Sequence, residues 1–453
     1  MAESVDVVVV GMGPAGEEVA GRLAERGLNV VGVESTLVGG ECPYWGCVPS
    51  KMMIRASNLL AEARRIPDLA GSSTVTPDWG IVARRIRDEA TDNWNDQVAV
   101  DRFEAKGGHF VRGHGHLEGP GEVAVGDRCF KARRGIVLAT GARSWTPPIP
   151  GLSDVPFWTN REAIEVKELP ATLVIIGGGA IAVELGQTYA RFGVKVSIVE
   201  SAPRLLPLEE PEAGSLLEDI FRGEGITVVT DAEVKSVSYE GDSFELDLGP
   251  RGSLRSERLL VAAGRRPDLS SLGLDTVGLD PSARFLAADA HMRVAWRIWA
   301  VGDVTGVGAF THVGMYQAAI AIPDILGQVG PSADYRALPR VTFTDPEIGS
   351  VGMTEAEARS LGISIRVGST QTQNSARGWI HKVGNTGLIK LIEDADRGIL
   401  VGALSMGPVG GEVLGLLTLA IHAQVSTAEL RSMIYAYPTF HRAVESALSE
   451  LAA

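Results

Sequence analysis

The sequence predicts an α/β protein built on two parallel-sheet nucleotide units. Two observations carry that prediction. The order strand, glycine turn, helix, strand, terminal acid occurs twice, and a chain of 453 residues is too long for one core and has room for two to four domains. Hydrophobic residues at 45% and charged residues at 22% are close to the globular average, which leaves little scope for long disorder.

In the first copy, residues 6–10 are an apolar, β-branched run. It leads directly into Gly11-Met12-Gly13-Pro14-Ala15-Gly16 and an amphipathic stretch over 17–26. Residues 29–33 read as the next strand and end at Glu34. That acid lies about 20 residues past the glycines, placed to accept a hydrogen bond from a ribose hydroxyl. A GxGxxG alone is weak; with its flanking strand, helix and acid it is a Rossmann-like dinucleotide fingerprint. Gly11, Gly13 and Gly16 then let backbone amides and a helix N-terminus face a pyrophosphate.

The second copy runs through 173–176, Gly177-Gly178-Gly179-Ala180-Ile181-Ala182, a helix to Phe192 and a strand over 194–199 that ends at Glu200. Ala182 stands at the third glycine, and Gly177 and Gly179 line the turn. Glu200 sits where an acid repels a 2'-phosphate, which predicts NADH, with NADPH disfavoured, although Arg204 lies nearby. Between the copies, residues 135–140 form an apolar strand closing on Thr140 and Gly141. Pro147-Pro148-Ile149-Pro150-Gly151 marks a boundary near 150. Residues 259–264 close the second copy in the same way, on Gly264.

A net charge of -14, from 42 basic and 56 acidic residues, argues against nucleic acid or an anionic membrane as partner and favours a small molecule. Residues 5–10 form a short run without a basic flank, expected to be a first strand rather than a signal peptide, and no stretch reaches about 18 apolar residues. A cytoplasmic location is expected. With Cys42, Cys47 and Cys129 as the only cysteines, a disulfide-scaffolded secreted fold is excluded. No metal site is expected: His114 and His116 alternate without a third ligand.

Cys42 and Cys47 stand in Gly39-Gly40-Glu41-Cys42-Pro43-Tyr44-Trp45-Gly46-Cys47-Val48-Pro49-Ser50-Lys51, just before a helical pattern over 52–63. Five residues of regular helix would separate them by about 7.5 Å along the axis and turn them to different faces, so a distorted first turn is expected. A helix N-terminus also favours the thiolate. Tyr44 and Trp45 either shape an acceptor site or simply pack.

With these motifs the chain resembles, over essentially its whole length, the FAD-dependent pyridine nucleotide-disulfide oxidoreductases, which include dihydrolipoamide dehydrogenase, glutathione reductase and mercuric reductase. Residues 298–303, Ile-Trp-Ala-Val-Gly-Asp, are similar to the family's second flavin segment. Residues 310–313 are similar to its flavin-edge segment, and residues 341–347 to the start of its interface domain. The resemblance implies two Rossmann-like domains and a C-terminal α+β dimerisation domain. Residues 1–150 and 271–335 would bind FAD, 151–270 NAD, and 336–453 would form a homodimer. It further implies that Cys42 is the interchange thiol and Cys47 the thiol facing the flavin, that Lys51 pairs with Glu184, that Asp303 holds the ribityl chain, and that Thr311 and His312 lie at the flavin.

One segment departs from the family pattern. Members that reduce small disulfides carry His-Pro-Thr near the C-terminus, with a glutamate five residues after the histidine. Here the segment reads Tyr437-Pro438-Thr439-Phe440-His441-Arg442. A phenol with an ordinary pKa near 10 is a poor base at neutrality, whereas imidazole titrates near 6.5. His441 and Glu445, four apart, offer a displaced dyad. The expected function is electron transfer from NADH through flavin and the Cys42–Cys47 disulfide to a disulfide-type acceptor. The alternative is direct flavin reduction of a quinone, a metal ion or a second nicotinamide, with Tyr437 donating a hydrogen bond or binding a metal thiolate.

Overall fold

The computed structural model describes residues 2–451, which divide into two compact units. The first comprises residues 2–49, 83–145 and 264–334. Its Glu3–Val10 strand is parallel to Val30–Glu34 on one side and to Arg128–Leu138 on the other. The flanking strands extend the sheet to the order 293–295, 298–300, 128–138, 3–10, 30–34, 109–112, and a hairpin over 115–125 leaves the path. A strand buried on both faces needs a continuous β-branched run rather than an alternating one. Val7, Val8 and Val9 are accordingly fully buried, in two cores on opposite sides of the sheet.

The Pro14–Glu25 helix starts at the first glycine turn with proline at its first position, where the missing N–H costs nothing. The Cys47–Arg65 helix starts five residues before the expected Met52. Pro49 lies in its first turn, where an N–H would lack an intrahelical acceptor in any case, so the sequence there does not break the helix.

The second unit comprises residues 50–82, 146–263 and 335–451. It holds a four-stranded parallel sheet in the order 227–229, 195–199, 172–176, 258–261, and a three-stranded antiparallel sheet over 236–256. A five-stranded antiparallel sheet follows in the order 339–342, 347–352, 399–407, 388–394, 365–371. Leu391, Leu400, Leu417, Val444 and Leu448 form one apolar core between that sheet and the Gly410–His422 and Arg442–Glu450 helices. The fold is the expected α/β arrangement with a C-terminal α+β part. Among the described residues no helix is long and apolar enough to cross a membrane.

Candidate active site

The first glycine turn is closed at both ends and open in the middle. A methyl on Gly11 would lie 2.3 Å from the Ala139 carbonyl oxygen, and one on Gly16 only 1.9 Å from that of Gly11, whereas nothing lies within 4 Å of the corresponding position on Gly13. Glu34 braces the turn: one carboxylate oxygen accepts from the Met12 N–H at 2.9 Å, the other from the Thr36 N–H at 2.8 Å. Beside the turn, the buried Thr140 hydroxyl has no hydrogen-bond partner. A buried hydroxyl left unpaired is costly, so a ligand atom supplied there is favourable. Open space over Gly13, a helix N-terminus and an unsatisfied hydroxyl fit the pyrophosphate of a bound dinucleotide.

The second turn repeats the plan. A methyl on Gly177 would meet the Ala262 carbonyl oxygen at 2.5 Å, and Gly179, which caps the Ala180–Arg191 helix, faces open space. Glu200 accepts from the N–H groups of Gly178 at 2.5 Å and Ala202 at 2.7 Å. Arg204 points its guanidinium at the carbonyls of Pro207 and Glu209, 2.9 and 3.2 Å away. Gly264 has φ +114 and open space at its α-carbon.

The cysteines lie at a break between two helices. Cys42 belongs to the short Glu41–Tyr44 helix, Trp45 and Gly46 interrupt it, and Cys47 opens the long helix. A side chain on Gly46 would press on the Glu41 carbonyl at 3.0 Å, so the break favours a small residue there. A hydrogen bond to Cys47, reinforced by burial, pushes the Cys42 thiol well above the ordinary thiol range, and the Thr311 hydroxyl opposes this. Thr311 Oγ1 also lies 3.5 Å from Cys47 Sγ. Two thiols that share a proton ionise one at a time, so ionisation of either opposes ionisation of the other. Tyr44 and Trp45 are both buried and in contact with each other, so they pack rather than line an acceptor site.

Asp303 opens a short turn immediately after the Ile298–Ala300 strand. Burial raises its carboxyl pKa, while Arg265 draws it down. Gln317, fully buried, holds that turn by accepting from the Gly302 N–H at 2.7 Å and donating to Thr305 Oγ1 at 3.0 Å. His312, second in the Thr311–Ile325 helix, stacks on Phe310. Gln317 was not identified from sequence: a glutamine inside an apolar helix gives little signal beyond its burial.

Lys51 Nζ lies 2.8 Å from Glu184 Oε2. The other oxygen of Glu184 accepts the Phe343 N–H at 2.8 Å, and the Phe343 ring lies 4.6 Å beneath the Lys51 ammonium. Two further residues on the same helix reach the same loop. Gln187 bonds both the N–H and the carbonyl of Asp345, and Arg191 binds the Asp345 carboxylate at 2.8 Å. Glu184 is therefore one of three residues gripping residues 343–345, a clamp invisible in sequence because its halves are more than 150 residues apart.

Tyr437 is 71% exposed, with the Arg442 guanidinium 5.5 Å from its ring. His441 caps the Arg442–Glu450 helix, and Glu445 pairs with Arg442 at 2.8 Å. The displaced His441–Glu445 dyad is thus not formed: the arginine at the start of the helix takes the carboxylate.

Two nucleotide cradles and an adjacent pair of thiols define a dithiol oxidoreductase. Residues 5–321 match the pyridine nucleotide-disulphide oxidoreductase family, and residues 338–448 match its dimerisation domain, so the chain belongs to that family and is FAD- and pyridine nucleotide-dependent. The dimerisation domain supports a homodimer. The chain is 33% identical to a dihydrolipoyl dehydrogenase of Chlorobaculum tepidum, with 99% of this chain and 97% of that one covered. It is equally 33% identical to a mercuric reductase of Acidithiobacillus ferrooxidans, with 96% and 81% covered. Among solved structures, a Cu(II) complex of the HOCl-induced flavoprotein disulfide reductase RclA from Escherichia coli matches with a TM-score of 0.87 at 26% identity, covering 99% of both chains.

Proposed function

We propose that this enzyme takes electrons from NADH and delivers them through Cys42 and Cys47 to a small disulfide-type acceptor in the cytoplasm. The observation that carries the reading is the hydrogen-bonded pair of thiols at the helix break beside Thr311. Bound FAD would supply the two-electron exchange that links NADH to a disulfide. The Cys42–Cys47 disulfide takes up two electrons and two protons to give the dithiol. The Cys42 thiolate then attacks an acceptor disulfide and expels one thiol. Cys47 attacks the mixed disulfide, expels the second and restores the starting bond.

The first turn, with Glu34, Thr140, Gly141, Asp303, Thr311 and His312, is assigned to FAD, and the second, with Glu200 and Gly264, to NADH. Residues 1–150 and 271–335 then serve the flavin, 151–270 the nicotinamide nucleotide and 336–453 the dimer. Preference for NADH is supported by Glu200 at the ribose position, while Arg204 directs one guanidinium nitrogen, Nη2, to the carbonyls of Pro207 and Glu209. Lys51 follows Cys47 by one turn of the same helix. Glu184 holds its ammonium in place, and a nearby cation favours the thiolate form of a cysteine.

A second reading, reduction of a metal ion or quinone without disulfide exchange, is favoured by Tyr437, an exposed phenol where an imidazole base stands in disulfide-reducing members. Cys42→Ser separates the two. The relay predicts intact flavin content, intact NADH-dependent flavin bleaching and loss of at least about 1,000-fold in turnover with a disulfide acceptor, comparable to removing other nucleophiles. Unchanged turnover would eliminate the relay.

A further inference from the structure

We propose a second ligand site, on the flavin-binding unit, that takes a nucleoside phosphate. A cavity of about 580 Å³ is walled by Arg133, Arg134, Arg293, Arg297, Trp296 and Trp299. That size suits a small ligand. Four guanidinium groups at one cavity stand out in a chain of net charge -14. Two of them are neutralised: Arg133 by Asp6 at 3.0 Å, and Arg293 by Asp324 at 2.6 Å. Among the described residues Arg134 and Arg297 have no carboxylate partner, so the cavity holds two spare positive charges. A phosphate monoester near neutral pH carries close to two negative ones.

The aromatic part of the site is held out at a cost. Trp296 and Arg297 form the two-residue loop between the Arg293–Ala295 and Ile298–Ala300 strands, with Ala295 opposite Ile298. Such loops ordinarily use Asn-Gly or a similar pair, because they need positive φ. Arg297 adopts φ +57 without being glycine, a left-handed conformation that a side chain resists. The Trp296 indole is 72% exposed, the Arg297 guanidinium lies 4.4 Å from its centroid, and Arg297 Nη1 donates to the Arg133 carbonyl at 2.9 Å. Neither residue is required by the hairpin itself, and together they offer a stacking surface beside fork-shaped phosphate donors. Guanidinium groups bind phosphate bidentately, and an indole face accepts a purine.

The test is calorimetric titration of the FAD-loaded enzyme with guanosine 5'-monophosphate, in saturating NAD⁺ so that the nicotinamide site is filled. We expect one site per chain. Affinity should fall by at least about tenfold in Arg134→Ala/Arg297→Ala and by about tenfold in Trp296→Ala. Inorganic phosphate should bind more weakly than the nucleotide. Arg297→Gly keeps the backbone carbonyl that accepts from Ile136 and relieves the positive φ, so it should raise the melting temperature while weakening the nucleotide. A merely structural arginine would not separate those two readouts. No binding to the native enzyme, equal affinity in the double variant, or phosphate binding as tightly as the nucleotide would each overturn the proposal. NADH-dependent turnover should be unchanged in all the variants, which keeps this result independent of the relay.

Discussion

At the third position of the first glycine turn a methyl group would sit 1.9 Å from the Gly11 carbonyl oxygen, whereas the second turn carries a methyl there, on the fully buried Ala182. The two turns otherwise follow one plan, each braced by a buried glutamate that accepts from the backbone of its own turn. What differs is what crowds each helix. At Gly16 it is the backbone of the turn itself. In the second unit the crowded glycine lies one turn further along, at Gly186, where an added side chain would meet the side chains of Ile198 and Ile175 at 3.1 and 3.3 Å. The loops that close the units differ too: Thr140 presents an unpaired buried hydroxyl, and the matching loop of the second unit has Ala263. The first turn is thus the tighter of the two and keeps a polar group in reserve, which accords with its proposed assignment to the flavin.

Exchanging residues between the turns would break that comparison most severely with Gly16→Ala. We expect loss of flavin on gel filtration and destabilisation of about 3 kcal/mol or more, since backbone rather than a flexible side chain blocks the methyl. Glu200→Ala removes the acceptor for Gly178 and Ala202; NADH kcat/KM should fall by about 10- to 100-fold, with a smaller loss for NADPH, while flavin content is retained. Thr140→Val should speed flavin release by up to about tenfold, the worth of one hydrogen bond, and leave the NADH KM unaltered. Ala182→Gly should cost only about 1 kcal/mol of stability, seen as a small drop in melting temperature, because it merely loosens a helix. Equal penalties for Gly16→Ala and Ala182→Gly would mean that the two turns are not differently built.

Both turns and their acids were legible in the sequence because every component lies within about 20 residues of the next. The helix break between Cys42 and Cys47 was legible for the same reason: regular helix cannot bring residues five apart to one face. Contacts that depend on packing were not. The grip of Glu184, Gln187 and Arg191 on residues 343–345 joins distant segments, and no local periodicity announces it. Tyr44 and Trp45 are aromatic beside a reactive pair, yet their burial decides that they fill the core. Spacing alone made His441 and Glu445 plausible partners, but Arg442, a full charge on the same helix, takes the carboxylate.

The thiol relay is tested most directly by titrating the oxidised enzyme anaerobically with NADH, following the flavin band and counting thiols after denaturation. The chain has three cysteines, so the relay predicts that one titratable thiol, Cys129, rises to three as one equivalent of NADH is consumed. Flavin bleaching with an unchanged thiol count would contradict it, and would leave Cys42 and Cys47 outside the electron path.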